Sequence, residues 1–307
     1  MLIHFSMARE SIQVDLHRVE LSNLEKVLFP DEGITKKEFV EYYERIADTL
    51  LPHIRGRMIV LERFPNGIND GKFYQKQAPD YFPQWINRVT VALKEGGSIT
   101  QITCEDKETL IYLANQVCIL HVWPGKADKP EYPDRLIFDL DPPDDEFEPV
   151  RYAALILKEF LHEVGLASFA MTTGSRGLHV VVPLNREADF PTVNKFAQNM
   201  ADILIRLEPD FFTNEFIKEE REGRMFVDVR RNIYGQTTVA PYAVRPKPGA
   251  PVAAPLEWSD LKDRRLSAKE YTIRNIFGML NDKGDPWEGI FQMAYSLEKP
   301  QRRLKYI

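Results

Sequence analysis

Asp139 and Asp141 close the run Arg135-Leu-Ile-Phe-Asp-Leu-Asp141, and Pro142 and Pro143 follow them. The β-branched and apolar residues before the acids read as a strand, on which residues two apart share a face. Both carboxylates therefore lie side by side, Leu140 turns into the protein, and the prolines end the strand near solvent. Adjacent carboxylates repel unless a cation lies between them, and a hard divalent ion with oxygen ligands is the natural partner. A strand end running into an acidic turn is the plainer alternative. Two further stretches bear on that choice. Asp228 interrupts the apolar run Met225-Phe-Val-Asp-Val229, either as a third metal carboxylate or in a salt bridge with Arg230 or Arg231. Thr173-Gly-Ser-Arg-Gly-Leu-His179 is a glycine-rich turn whose backbone N–H groups, Thr173, Ser175 and Arg176 offer donors to an anion. His179 follows on the next strand. A strand histidine is more often structural, and its place between two acid-bearing strands is what draws it towards the site.

The elements that carry these residues read in the order β-α-β-β-α-β. Strands are predicted at 135–141, 167–172, 178–184 and 225–229, with helices over 149–164 and 189–207. This is a split βαβ, or ferredoxin-like, unit, in which the first and last strands can bring Asp228 beside Asp139 and Asp141. Upstream, Ser22 or Asn23 is expected to cap a short helical turn ending at Pro30. Thr35 and Glu38 form a capping-box signature that opens an amphipathic helix over 36–51. Strands follow at 58–64, 72–76, 87–93 and 97–104. A helix over 107–120 is predicted to end at His121-Val-Trp123, where a buried structural histidine is the default. Of the adjacent pair Phe73 and Tyr74, one is expected in the core and the other free to stack on a base. An apolar helix over 268–280 is read as packing.

The 307 residues are 44% hydrophobic and 28% charged, ordinary for a globular chain, and no apolar run is long enough to cross a bilayer. The first ten residues have too short an apolar core for a signal peptide. Cys104 and Cys118 make no disulfide framework, and no Cys/His cluster has zinc spacing. A reduced, cytoplasmic location is expected. The net charge of −6 speaks against a protein coated in base. Between Arg221 and Lys247, however, six basic side chains face two acidic ones, so a local patch can still meet phosphate, if it is not simply a solvated face.

Taken together, the motifs resemble the polymerase domain of bacterial ligase D and its stand-alone relatives in the archaeo-eukaryotic primase superfamily. The matching pieces run in order: Asn23-Leu-Glu-Lys-Val-Leu-Phe-Pro30, Arg63-Phe-Pro-Asn-Gly67, Phe73-Tyr-Gln-Lys76, His121-Val, Phe138-Asp-Leu-Asp-Pro-Pro143, Thr173 to His179, Phe226-Val-Asp228 and Gln236 to Arg245. The resemblance implies an α+β primase-polymerase fold, with a ferredoxin/RRM-like catalytic module packed against a second α/β module in one bilobed body. As a single domain it would comprise an N-terminal module over about 1–130, a catalytic module over about 131–265 and a packing segment over about 266–307.

The activity implied is templated nucleotide addition at 5′-phosphorylated breaks in non-homologous end joining, by two Mn²⁺ or Mg²⁺ ions and with a preference for ribonucleotides. Carried over by motif, Asp139, Asp141 and Asp228 are the catalytic metal carboxylates. His121, Thr173, Ser175, Arg176, His179 and Arg245 contact the nucleotide, and Asn23, Lys26 and Lys36 grip the 5′-phosphate. Arg63, Phe73, Tyr74, Arg221 and Arg231 contact template or DNA. Thr173 and Arg176 stand where the family carries serine and lysine, which keeps the hydroxyl and the charge. The implied partners are DNA with a gap or 3′ overhang, nucleoside triphosphates, Ku, and a separately encoded ligase and phosphoesterase at the nucleoid. A non-catalytic end-bridging module and a nucleotide-cyclase-like enzyme are the competing readings.

Overall fold

The computed structural model describes residues 9–306. A hairpin opens it, β1 (Arg9–Val14) with β2 (His17–Ser22). The helical turn expected after Ser22 is absent. Asn23 takes a left-handed φ of +53°, which its short amide side chain tolerates, and the Lys26 N–H closes a turn on the Asn23 carbonyl at 3.0 Å. β3 (Val27–Phe29) and β4 (Ile34–Thr35) pair, and Thr35 caps α1 (Lys36–Ile54) through the predicted capping box with Glu38. Phe39, Tyr43, Ile46 and Leu50 recur at helical spacing and are all buried, which fixes the inward face of α1.

β5 (Ile59–Arg63), β6 (Phe73–Gln75), β7 (Arg88–Ala92) and β8 (Ser98–Ile102) follow, the last two forming a hairpin. α2 (Lys107–Asn115) ends earlier than its apolar sequence suggests. Val117 adopts φ +54°, a conformation β-branched residues rarely take, and turns the chain into β9 (Cys118–Val122). No glycine or proline marks that break. His121 consequently lies on a strand, not at the end of a helix. These strands form one sheet in the order β15-β9-β5-β8-β7, with β6 paired to β5 and β15 being Thr238–Val239.

The second sheet begins with β10 (Arg135–Asp141), followed by α3 (Glu148–Glu163), β11 (Phe169–Thr172), β12 (Leu178–Pro183), α4 (Phe190–Leu207), β13 (Phe212–Thr213) and β14 (Met225–Asp228). β16 (Pro255–Leu256) completes the order β13-β14-β10-β12-β11-β16. Its middle four strands have the ferredoxin-like arrangement read from the sequence. Leu136, Phe138 and Leu140 pack in a core with α3 and α4, whereas Ile137, Met171 and Val181 join the other core, with α1 and β9. Asp139 and Asp141 alternate with the first set, so they emerge on the face turned towards the first sheet.

Arg57 and Asp134, both buried, form a bidentate pair with two 2.7 Å bonds, and Arg57 also donates to the carbonyls of Trp123 and Pro124. This fixes the chain where it passes from one sheet to the other. Downstream, in the predicted packing segment, the helix expected over 268–280 forms only from Ile276: residues 268–275 are irregular, α5 spans Ile276–Lys283, and α6 (Glu298–Arg303) lies near the end. Packing is nevertheless its role. Trp287 is buried and donates to the Ala170 carbonyl at 3.0 Å, and Asp285 accepts from His53 and Tyr242, each at 2.6 Å. Cys104 and Cys118 are free and buried. Among the described residues no helix is long and apolar enough to cross a membrane.

Candidate active site

Antiparallel pairing sets Asp139 directly opposite Asp228 on one side and opposite His179 on the other. Cross-strand partners share a face, so the three side chains project on one side of the sheet, with Asp141 one step further along. The His179 Nε2 lies 3.4 Å from Asp139 Oδ1, and Arg231 Nε lies 3.1 Å from Oδ2. Burial would raise the Asp139 carboxyl, but the His179 and Arg231 charges outweigh it and hold it well below the usual range. Asp141 receives Arg176 at 3.1 Å and Arg221 at 3.0 Å. Asp228 is clamped by Arg230 through bonds of 2.9 and 2.7 Å. Asp228 thus makes the salt bridge with Arg230 while standing on the same face as the other acids.

The carboxylate oxygens are turned to guanidinium groups, and no three Asp, Glu, His or Cys side chains among the described residues are gathered as an ion cage. The donor set still suits a hard divalent ion: carboxylate oxygens from two paired strands, held together by cations that an ion would displace.

A cavity of about 450 Å³ opens over this face. It is lined by the three acids, by His121, Thr173, Ser175, Arg176, His179 and Arg245, and by Tyr74, Arg221 and Arg231. Arg63, Phe73, Asn23, Lys26 and Lys36 lie outside it. The Thr173 hydroxyl is spent within its own turn, donating to the Gly177 carbonyl at 3.1 Å and accepting the N–H groups of Ser175 and Gly177 at 3.3 Å. It organises the turn more than it offers itself to a ligand. The glycines are sterically required: a Cβ on Gly177 would collide with the Leu140 carbonyl oxygen, and one on Gly174, at φ +63°, would lie 2.8 Å from Arg245 Cγ. Arg245 in turn donates to the Thr173 carbonyl at 2.9 Å.

Three functional residues escape sequence reasoning. Arg230 enters the sequence reading only as one of the basic residues between Arg221 and Lys247 and as a salt-bridge alternative for Asp228. Asn232, fully buried, accepts from the Ile137 N–H at 2.8 Å and donates to the Ile137 carbonyl at 2.7 Å, continuing the ladder where β14 leaves β10. It thereby seats Arg230 and Arg231 over the acids, and nothing in the sequence marks it. Glu62, fully buried on β5, accepts from His121 Nε2 at 2.9 Å and Lys72 Nζ at 2.5 Å. Burial raises its carboxyl, yet the bonds from His121 and Lys72 prevail and bring it to about 2. The His121 imidazole is itself lowered, burial outweighing Glu62. The two shifts disagree if His121 is taken as charged. They agree if a neutral His121 donates its Nε2 hydrogen and Lys72 supplies the charge. A lone acid in an apolar strand was the available signal, the same one that singles out Asp228.

Lys36 is buried and donates to the Ser22 carbonyl at 2.6 Å; Lys26 donates to the Pro65 carbonyl at 2.8 Å and to Asn66 at 2.7 Å. Neither has a carboxylate partner among the described residues. Burial first, and then the neighbouring Lys26 charge, push the Lys36 ammonium down to about 8. Phe73 and Tyr74 are both exposed, at 47% and 56%. The expectation that one is core fails because β6 pairs only with β5, which leaves both faces of the short strand uncovered.

Comparison with known proteins identifies the arrangement. Residues 35–287 match the family described as LigD, primase-polymerase domain. The chain is 30% identical over 272 residues to the bifunctional non-homologous end joining protein LigD of Bacillus subtilis, covering 88% of this chain and 44% of that protein. It is 34% identical over 270 residues to the multifunctional non-homologous end joining DNA repair protein LigD of Mycobacterium tuberculosis, covering 84% of this chain and 35% of the relative. It thus spans less than half the length of these relatives. The solved polymerase domain of Mycobacterium tuberculosis ligase D in complex with DNA superposes with a TM-score of 0.84 at 31% identity, over 91% of this chain and 99% of that one. With acids, arginines and glycine turn in one cavity on the ferredoxin-like sheet, the chain belongs to the LigD primase-polymerase domain family and is a nucleotidyltransferase of the polymerase class.

Proposed function

We propose that this chain fills gaps and extends 3′ ends at 5′-phosphorylated DNA breaks in non-homologous end joining, adding ribonucleotides in preference to deoxyribonucleotides. The observation that carries the reading is the pairing of Asp139 with Asp228 beneath a cavity walled by Arg176, His179 and Arg245. Asp139, Asp141 and Asp228 would hold two Mg²⁺ or Mn²⁺ ions, which would supply Lewis acidity at the primer 3′-hydroxyl and the departing pyrophosphate. With an ion on those carboxylates, Arg176, Arg221 and Arg231, which pair with Asp141 and Asp139 here, would be free to turn their guanidinium groups to phosphate oxygens. Arg245 and His179 orient the triphosphate for in-line attack, with Ser175 and the N–H groups of the Thr173–Gly177 turn as further donors. His121, steadied by Glu62, forms the opposite wall, and Tyr74 stands beside it to receive the templating base.

Lys26 and Lys36, cationic and without acids, form with Asn23 the pocket for the 5′-phosphate on the far side of the gap. The chain acts as a single domain with an N-terminal module over about 1–130, a catalytic module over about 131–265 and a packing segment beyond. It works on nucleoid DNA in the cytoplasm with Ku, a ligase and a phosphoesterase. An end-bridging module without catalysis leaves the three paired acids unexplained, and a cyclase leaves the lysine pocket unexplained. The test is gap filling on a templated duplex, comparing ribo- with deoxyribonucleotides and 5′-phosphate with 5′-hydroxyl. Faster ribonucleotide insertion, dependent on the phosphate, is expected. Cyclic product from nucleoside triphosphate without DNA would overturn the reading.

A further inference from the structure

The β5–β6 ribbon turns its two exposed aromatics to opposite faces. Tyr74 is the cross-strand partner of Glu62 and stands edge-on to His121, with centroids 5.8 Å apart, on the cavity side. Phe73 is the partner of Arg63 and faces the other way. On that far side the Arg63 guanidinium lies 5.4 Å from the Phe73 ring and donates to Gln75, to Gln116 and, at 2.7 Å, to the Tyr81 hydroxyl. Arg63 has no carboxylate partner among the described residues. Tyr81 touches Phe82 edge-on at 5.2 Å, yet 63% of it remains exposed, so core packing does not account for its orientation. The arginine does. An acid-free arginine between two exposed rings, continuous with the nucleotide cavity through Tyr74, has the composition of a path for single-stranded nucleic acid: rings for bases and a cation for the backbone.

We propose that Tyr81, held by Arg63, is a second stacking platform for an unpaired template nucleotide beyond the templating base. The inference rests on the polymerase reading and deepens it: the strand passes from Tyr74 on the cavity face of the ribbon to Phe73 and Tyr81 on the other. Such a platform matters where the template stays unpaired past the insertion site, as in gaps longer than one nucleotide.

The test uses the full chain and gapped duplexes with 2-aminopurine at the first unpaired template position past the templating base. Wild-type protein should quench the probe on binding, and Tyr81→Ala should lose the quench. Tyr81→Ala should also weaken binding of a three-nucleotide gap by roughly 5- to 150-fold more than that of a one-nucleotide gap, the range expected for one stacked base. Tyr81→Phe, which keeps the ring and loses the anchor to Arg63, should fall between. A quench that survives Tyr81→Ala, or equal losses on both gaps, overturns the proposal. The quench needs only binding, so it reads on Tyr81 even if wild-type protein fills neither gap, a result that counts against the polymerase reading alone.

Discussion

Glu62→Gln removes a buried charge while keeping the shape of the side chain, and its effect should depend on pH in a defined way. Glu62 accepts from His121 and Lys72 at 2.9 and 2.5 Å, and its carboxyl stands at about 2 instead of 4.5 because those bonds outweigh the cost of burial. A folded value below the unfolded one means that the charged form stabilises the fold. That stability is present in full above about pH 4.5 and is lost as the pH falls through about 2. The shift corresponds to roughly 3 kcal/mol. Lys72 is half exposed, so screening lowers the figure to about 2 kcal/mol. Thermal unfolding of wild type and variant between pH 3 and pH 8 tests this. At pH 7 the variant should melt about 4–8 °C lower, and the gap should narrow steadily below pH 4.5. A gap that stays constant from pH 8 to pH 3, or no gap at pH 7, would refute the ion-pair reasoning and leave Glu62 as a shape-filling residue.

Asn232→Leu should strand the Ile137 N–H and carbonyl, at about 1–3 kcal/mol for each group; urea unfolding should show the loss, and nucleotide insertion should fall with it as Arg231 loses its seat. Gly177→Ala drives a methyl group against the Leu140 carbonyl and should cost about 1–3 kcal/mol and weaken triphosphate binding, whereas Gly71→Ala, with open space around it, should melt like wild type. The preference for a 5′-phosphorylated gap over a 5′-hydroxyl one should be fullest near pH 7, since below about 6 the phosphate itself takes up a second proton. Above about 8 it should decline, as Lys36 loses its proton in the free protein, and Lys36→Met should remove both the preference and its pH dependence in a binding titration.

The catalytic sheet was legible because each of its rules is local. Strand periodicity placed Asp139 and Asp141 on one face, and the β-α-β-β-α-β order then allowed only a few neighbours for the strand of Asp228. The pairing of Asp139 with Asp228 follows from those two facts. The N-terminal half was harder to read. Its sheet is assembled from distant pieces, β15 joining β9 from more than a hundred residues away, and its turns use residues that do not announce themselves. Val117 makes a left-handed turn without glycine, so the run before His121 looks helical to its end. Asn23 does the same where a helix cap was expected. Asn232 was invisible for another reason: its role is to complete a backbone ladder, which depends on where two strands part and not on any pattern around it. The arginines over the acids show the limit from the other side. Their number is plain in the sequence, but only the fold shows Arg176 and Arg221 sharing Asp141 while Arg230 takes Asp228.

The most direct test of the central claim is single-nucleotide gap filling on a 5′-phosphorylated duplex with Mn²⁺, comparing wild type with Asp139→Asn and Asp228→Asn, with DNA affinity measured in parallel. Wild-type protein should insert the templated nucleotide and stop when the ion is chelated. Both variants should lose insertion while still distinguishing the phosphorylated gap, because Lys26 and Lys36 lie outside the acid cavity. Insertion by either variant at the wild-type rate would contradict the assignment of these carboxylates as the catalytic centre.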